Sequence, residues 1–257
     1  MSGRLEGKRA LITGASSGLG RGAALRFAIE GAAVAVGGRD SARVDRTVRE
    51  IADAGGVAIP AVGDVSQPDS AAAVVEAAAS GLGGLDTVVN NAGIDATEWY
   101  PVHEWPVEDF DEIMRVNLRG PFLVAKYAIP HLLEAGGGSI VHMSSVCAIT
   151  VWAGDCAYDM SKAGLNMLSD HISVEYGPRG IRSNTLMPGC IRTEMHESVM
   201  ASLPNGREFE QELMGRHPIG RFGSVEEVAA ACMFLCEDDH SFMTGANITI
   251  DGGYSRV

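Results

Sequence analysis

Residues 10–20 read Ala10-Leu11-Ile12-Thr13-Gly14-Ala15-Ser16-Ser17-Gly18-Leu19-Gly20, an apolar run that turns through glycines directly into an alanine-rich helical segment. Strand, tight turn and helix in that order make an anion site suited to a pyrophosphate. Glycines permit the turn and let backbone approach phosphate closely, while the free N–H groups and positive end of the helix attract the charge. The spacing of Gly14, Gly18 and Gly20 is G-x-x-x-G-x-G rather than G-x-G-x-x-G. A glycine-rich turn alone is weak; its place between a first strand and a first helix strengthens it. The expected cradle is Gly14, Ser16, Ser17, Gly18, Leu19 and Gly20.

Outward from this turn the same rhythm repeats. Short apolar runs near 10–13, 33–36, 57–61, 87–90, 139–143, 182–186 and 247–250 alternate with segments of helical period near 19–30, 42–54, 69–80, 107–134, 158–176 and 225–236. Continuous apolar words such as Thr87-Val88-Val89 and Ile140-Val141 suit parallel strands covered on both faces. Ser224 and Glu227 form a capping-box pattern, and Gly31 and Gly177 stand where helices should end. The expected fold is therefore α/β: a Rossmann-type, doubly wound seven-stranded parallel sheet with helices on both faces. No linker, charge block or repeat interrupts it, so 1–257 is read as a single nucleotide-binding domain. The stretch 192–222, with Met195, Met200, Met214, Pro204 and Pro218 and little period, reads as an irregular excursion serving as a substrate lid.

Composition narrows the partners. The 257 residues are 46% hydrophobic and 21% charged with a formal net charge of −13, which suits a globular chain and argues against nucleic acid or an anionic membrane as partner. Arg4, Glu6, Lys8 and Arg9 open the chain without an apolar leader region, and no run is long enough to span a bilayer, so a cytoplasmic location is expected. Cys147, Cys156, Cys190, Cys232 and Cys236 lack zinc-site spacing, and no metal is expected. Cys147 and Cys156 flank chemistry-bearing residues, which leaves their redox sensitivity open.

The second strand ends in Val36-Gly37-Gly38-Arg39-Asp40. An acidic residue here would accept from both ribose hydroxyls and select NAD, whereas a guanidinium just beyond pairs with a 2′-phosphate. Gly38 occupies the acidic place and Arg39 follows, so NADP(H) is favoured; NAD(H) remains the alternative if Asp40 reaches the ribose. Asp64 and Val65 are placed for the adenine, and Asn90-Asn91-Ala92-Gly93 for close backbone approach to the cofactor.

Tyr158 and Lys162 lie four residues apart at the start of a helix and hence on one face. A tyrosine needs its pKa lowered by about 3 units, or about 4 kcal/mol, to act as acid and base near neutrality. One positive charge about 4 Å away at an effective dielectric of about 20 supplies roughly that much. Ser145, thirteen residues upstream and just past the fifth strand, is placed to hold the substrate oxygen, with Ser144 as its competitor.

In these words and their order the whole chain resembles the short-chain dehydrogenase/reductase family. The resemblance implies a catalytic set of Asn117, Ser145, Tyr158 and Lys162, in which Lys162 also holds the nicotinamide ribose and Asn117 holds a water that continues a proton relay. It implies that Asn91, Ala92 and Gly93 border the cofactor. Asn184 and the loop Pro188, Gly189, Cys190, Ile191, Arg192 and Thr193 resemble the family's nicotinamide side, Ile191 and Thr193 meeting the carboxamide. Met187 stands where a smaller residue is expected. The activity implied is hydride transfer between NADP(H) and a carbonyl or secondary alcohol, with Tyr158 as acid/base. The alternatives are an NAD-linked alcohol or sugar dehydrogenase and a nucleotide-binding redox sensor without catalysis.

Candidate substrate walls are Asp95, Trp99, Trp152, Asp155, Met195 and His196. Trp152 with Val146, Ile149 and Val151 favours a neutral, partly apolar ketone or cyclic alcohol, while the resemblance also allows 3-oxoacyl thioesters, polyols and sugars. It further implies a homotetramer or homodimer built on the helices at 107–134 and 158–176.

Overall fold

The computed structural model describes residues 3–96, 98–202 and 205–257. Strands β1 (Arg9–Ile12), β2 (Ala33–Gly38), β3 (Val57–Val62), β4 (Thr87–Asn90), β5 (Gly138–Met143), β6 (Ile181–Pro188) and β7 (Asn247–Ile250) form one sheet in the order β3-β2-β1-β4-β5-β6-β7. Every pairing is parallel. The order reverses beside β1, where Ile12 pairs with Val36 on one side and Val89 on the other. At such a reversal the connections leave toward opposite faces and open a crevice at the carboxyl ends of the strands.

The connections carry α1 (Gly18–Ile29), α2 (Ser41–Asp53), α3 (Pro68–Leu82), α4 (Val107–Met114), α5 (Gly120–Glu134) and α6 (Cys156–Tyr176). Beyond β6 come α7 (Glu194–Ser202), α8 (Gly206–Gly215) and α9 (Val225–Cys236). Phe27 of α1, Ile51 of α2 and Val228 of α9 pack on one face of the sheet with Val36 and Val141. Val75 of α3, Val124 and Leu132 of α5 and Ile172 of α6 cover the other face with Val88 and Ile140. Each fully buried side chain of this size contributes about 1.5–3 kcal/mol. Helices α1 and α9 approach closely because Gly22 has no side chain; a Cβ there would lie 2.1 Å from Val225 Cγ1.

The local signals hold at several ends. The Ser224–Glu227 capping box is formed, Gly177 caps α6, and Gly31, at φ 93°, lies just past α1. Two expectations need correction. The helix expected at 107–134 is not uniform: Arg115–Arg119 forms a π turn between α4 and α5. Pro121 has no N–H to offer the carbonyl of Asn117, and its ring would crowd that carbonyl in a regular helix, so the turn widens. The stretch 192–222 is also more ordered than its sequence suggests, since α7 and α8 occupy much of it. Their short amphipathic pattern is set by packing over the crevice rather than by strong period. Leu203 and Pro204 lie outside the described residues.

Candidate active site

A cavity of about 480 Å³ runs along the carboxyl ends of the strands, from the phosphate loop to α7 and α8. Gly14, Ser16, Ser17, Gly18 and Leu19 line it. Gly14 (φ 64°) and Gly18 (φ 51°) take left-handed conformations that place backbone rather than side chain at the wall. The loop is braced from β4. Asn91 Nδ2 donates to the carbonyls of Thr13 (3.0 Å) and Gly14 (3.3 Å), and Thr13 Oγ1 accepts from the amides of Asn91 and Ala92, both at 3.0 Å. Gly20, expected in the cradle, is not at the cavity wall. A Cβ there would lie 2.3 Å from both Gly14 O and Asn91 Nδ2, so this glycine is demanded by packing behind the loop.

At the carboxyl end of β2, a Cβ on Gly38 would lie 2.8 Å from Val44 Cγ2. No side chain, and hence no carboxylate, is accommodated there without a shift. Asp40 is engaged as the cap of α2, accepting from Arg43 N at 3.1 Å. Arg39 lines the cavity, and so does Arg43, which the sequence reading missed. Its only sequence signal was a place in the first turn after a capping Asp. Arg43 Nη2 donates to Glu194 at 2.5 Å across the crevice, while its Nε is buried without a partner. Asp64 and Val65 also line this end. Burial raises the Asp64 pKa, but hydrogen bonds from Ser66 N (3.0 Å) and Ser66 Oγ (2.6 Å) and the charges of Arg115 and Arg39 outweigh it and hold the carboxyl below its ordinary value.

At the other end Ser145, Tyr158 and Lys162 converge. The Tyr158 phenol lies beside the Ser145 side chain, and Lys162 Nζ lies 5.3 Å from the Tyr158 ring centroid. Ser145 Oγ accepts from Cys147 N at 3.1 Å, which turns the hydroxyl toward the cavity. Ser144 is otherwise committed: its hydroxyl donates to the Lys162 carbonyl at 3.1 Å, bracing α6. Lys162 Nζ donates to the Met143 carbonyl at 3.0 Å. Asn117 does not reach the wall. Its side chain accepts from Ile94 N and donates to Ile94 O, both at 2.8 Å, and donates to Ser161 Oγ at 3.3 Å. The π turn aims it there. A Cβ on Gly93 would lie 3.3 Å from Asn117 Oδ1 and 3.5 Å from Lys162 Nζ, so the glycine keeps a small space between them.

The titration of this end departs from the sequence expectation. Burial, then Asp95, Cys147 and Asp155, push the Tyr158 phenol well above the ordinary tyrosine range, and Ser145 beside it offsets only part of that. Burial also brings Lys162 down to about 8, which Asp95 opposes. Desolvation of the protein groups alone therefore outweighs the single cation counted from the sequence. Burial likewise raises Cys147 to about 12 and raises Cys156, with nearby carboxylates adding to both, so neither thiol has the lowered pKa of a reactive cysteine.

Asp95, Trp99, Trp152, Asp155, Met195 and His196 all line the cavity, as do Ala92, Gly93, Pro188, Gly189, Ile191 and Thr193. Asn184 does not. It is buried, donating to Met243 O (3.0 Å) and accepting from Ala246 N (3.0 Å), and so ties β6 to the entry of β7. Thr193 Oγ1 accepts from His196 N at 3.2 Å at the start of α7. Trp152 is held by its amide on Asp159 Oδ2 (2.9 Å) and packs against Trp99, Phe209 and Tyr254 at centroid distances of 6.1, 6.0 and 6.2 Å. Phe209 and Tyr254 had no sequence signal, since they lie 57 and 102 residues from Trp152 along the chain. Among the described residues no helix is long and apolar enough to cross a membrane.

A family model described as Enoyl-(Acyl carrier protein) reductase matches residues 14–255. The chain is 40% identical over 250 residues to a 3-oxoacyl-[acyl-carrier-protein] reductase of Thermotoga maritima, covering 97% of this chain and 98% of that protein. It is 37% identical over 256 residues to a cyclohexanol dehydrogenase of Acinetobacter sp. strain SE19, covering 99% and 98%. Among solved structures, a gluconate 5-dehydrogenase from Burkholderia cenocepacia J2315 in complex with NADP and tartrate superimposes with a TM-score of 0.92 at 31% identity, covering 99% of this chain and 98% of that one. With a parallel sheet reversed at β1, a braced glycine turn and Ser145, Tyr158 and Lys162 in one cavity, the chain belongs to the short-chain dehydrogenase/reductase family of oxidoreductases acting on CH–OH and C=O groups.

Proposed function

We propose that this protein transfers a hydride between NADP(H) and a carbonyl or secondary alcohol, with Tyr158 as acid/base. The observation that carries the reading is that Ser145, Tyr158 and Lys162 stand together in the same cavity as the glycine loop. The residues fit the cofactor. Gly14, Ser16, Ser17, Gly18 and Leu19 would hold its pyrophosphate, Asp64 and Val65 its adenine, and Asn91, Ala92 and Gly93 its middle. Pro188, Gly189, Ile191 and Thr193 would border the carboxamide, and Lys162 the adjoining ribose. The buried, unpartnered Nε of Arg43, together with Arg39 and the absence of room for a carboxylate at Gly38, supports a 2′-phosphate and hence NADP over NAD.

When bound, the nicotinamide supplies or accepts the hydride and, oxidised, adds a positive charge near the phenol. In reduction Ser145 holds the substrate oxygen and Tyr158 Oη gives it a proton; in oxidation Tyr158 Oη takes the proton back. Lys162 replenishes or receives that proton toward the space at Gly93, where Asn117 offers its Oδ1. Tyr158→Phe tests the assignment: turnover, read at 340 nm, should fall about 10³-fold or more while NADPH affinity stays within about 3-fold. Undiminished turnover would remove Tyr158 from the mechanism.

A further inference from the structure

Asp95, on the loop after β4, and Asp155, at the start of α6, stand together in the cavity wall with their carboxyls beside each other. Asp95 Oδ1 is anchored by Ala96 N at 2.8 Å. Asp155 is only 5% exposed, yet its Oδ1 has no hydrogen-bond partner. Among the described residues neither carboxyl enters a salt bridge. A buried polar atom left unmet on a residue of a cavity wall favours a ligand group that meets it, because leaving it bare costs about 1–3 kcal/mol.

The chemistry of the pair selects that group. Burial, then the charges of Asp95 and Asp159, keep Asp155 protonated up to about 8, so near neutral pH the two carboxyls hold a proton between them and act at once as donor and acceptor. A hydroxyl both donates and accepts, and it matches. An anion would be repelled, and a substrate with a single oxygen, already held by Ser145 and Tyr158, would leave Asp155 Oδ1 unmet. Both carboxyls lie close enough to Tyr158 to raise its pKa, which places the recognised hydroxyl near the reacting carbon. Trp99 and Trp152, 6.1 Å apart, line the same part of the wall and suit the carbon face of a ring.

We propose that Asp95 and Asp155 bind a second hydroxyl of the substrate, so that the preferred substrates are hydroxylated rings, namely cyclic diols or hydroxyketones, with Trp99 and Trp152 against the ring. This rests on the hydride-transfer reading above.

The test compares cyclohexanol, the cyclohexane-1,2-diols and 2-aminocyclohexanol with saturating NADP, in the wild type and in Asp155→Ala. The wild type should favour a diol over cyclohexanol by about 10-fold or more in kcat/KM, since a site built to meet a hydroxyl discriminates against an analogue lacking it. Asp155→Ala should lower the ratio of diol to cyclohexanol kcat/KM about 10-fold. The ratio cancels any effect of Asp155 on Tyr158 acidity, because both substrates share the chemical step. The wild-type preference needs no variant, so it stands even where Asp155→Ala folds poorly. Equal use of diol and cyclohexanol by the wild type, an equal loss of both in the variant, or preference for the amine would each overturn the proposal while leaving hydride transfer intact. No turnover of any of these alcohols or of their ketones, with NADPH still bound, would overturn both.

Discussion

Asn117 and Lys162 face each other across Gly93: a single methyl on that glycine would touch Asn117 Oδ1 at 3.3 Å and Lys162 Nζ at 3.5 Å. Residues from the π turn, the loop after β4 and α6 thus enclose one small space. Gly93→Ala should fill it, lowering kcat by about 10-fold while NADPH binding changes by less than about 3-fold. Steady-state kinetics with fluorescence titration of NADPH separates the two. Unchanged kcat would mean that no proton path uses this space. Asn117→Ala should lower stability as well, by about 2–4 kcal/mol in denaturant unfolding, because both backbone groups of Ile94 lose their partner.

Nucleotide choice should follow the two arginines at the end of β2. Arg39→Ala and Arg43→Ala should each reduce kcat/KM for NADPH by about 10- to 100-fold, the worth of one charged hydrogen bond, and change NADH by less than about 3-fold. A preference for NADH in the wild type would contradict this reading. In the Arg43 variant Glu194 also loses its partner across the crevice, so the tilt of α7 against α2 should loosen, measurable as faster amide exchange in α7.

Stability should depend on pH through Asp155. Its carboxyl is raised from 3.8 to about 8, so between those values the native chain keeps a proton that the unfolded chain has released. Folding stability from this group therefore falls as pH rises across that window. Asp155→Asn removes the titration. The melting temperature of the variant should match the wild type near pH 4 and exceed it at pH 9 by about 3 °C or more. An advantage of the same size at both pH values would show a packing effect instead.

Self-association is expected on the face formed by α4, α5 and α6. Met114, Leu118, Phe122 and Leu168 border one groove there, and Phe122 is about half exposed, as is Met167 nearby. Light scattering should report a dimer or tetramer, and Phe122→Glu should shift it toward smaller species. A monomeric wild type would remove this assignment.

Much of the architecture was legible because its signals are local. Thr87-Val88-Val89 spells a buried strand, the glycine turn before α1 spells an anion site, and Ser224 with Glu227 spells a helix start. The spacing of Tyr158 and Lys162 follows from helical period alone. Less legible were positions whose roles depend on neighbours far along the chain. Gly20 and Asn184 carry family-like words, yet one is packed behind the turn and the other ties two strands. Arg43, Phe209 and Tyr254 carry no word at all.

The chain's own order of residues thus determined the alternation of strands and helices, the glycine turn, and the placing of Tyr158 and Lys162 on one helix face, since each rests on contacts within a few positions. Tertiary structure alone decided that the Ser144 hydroxyl is taken up by the Lys162 carbonyl, how Pro121 opens a π turn that aims Asn117 at Ile94, and that Asp95 and Asp155 share a buried wall beside Tyr158. The reason is desolvation: how far a phenol, an ammonium or a carboxyl is removed from water depends on everything that packs around it, and no spacing along the sequence records that.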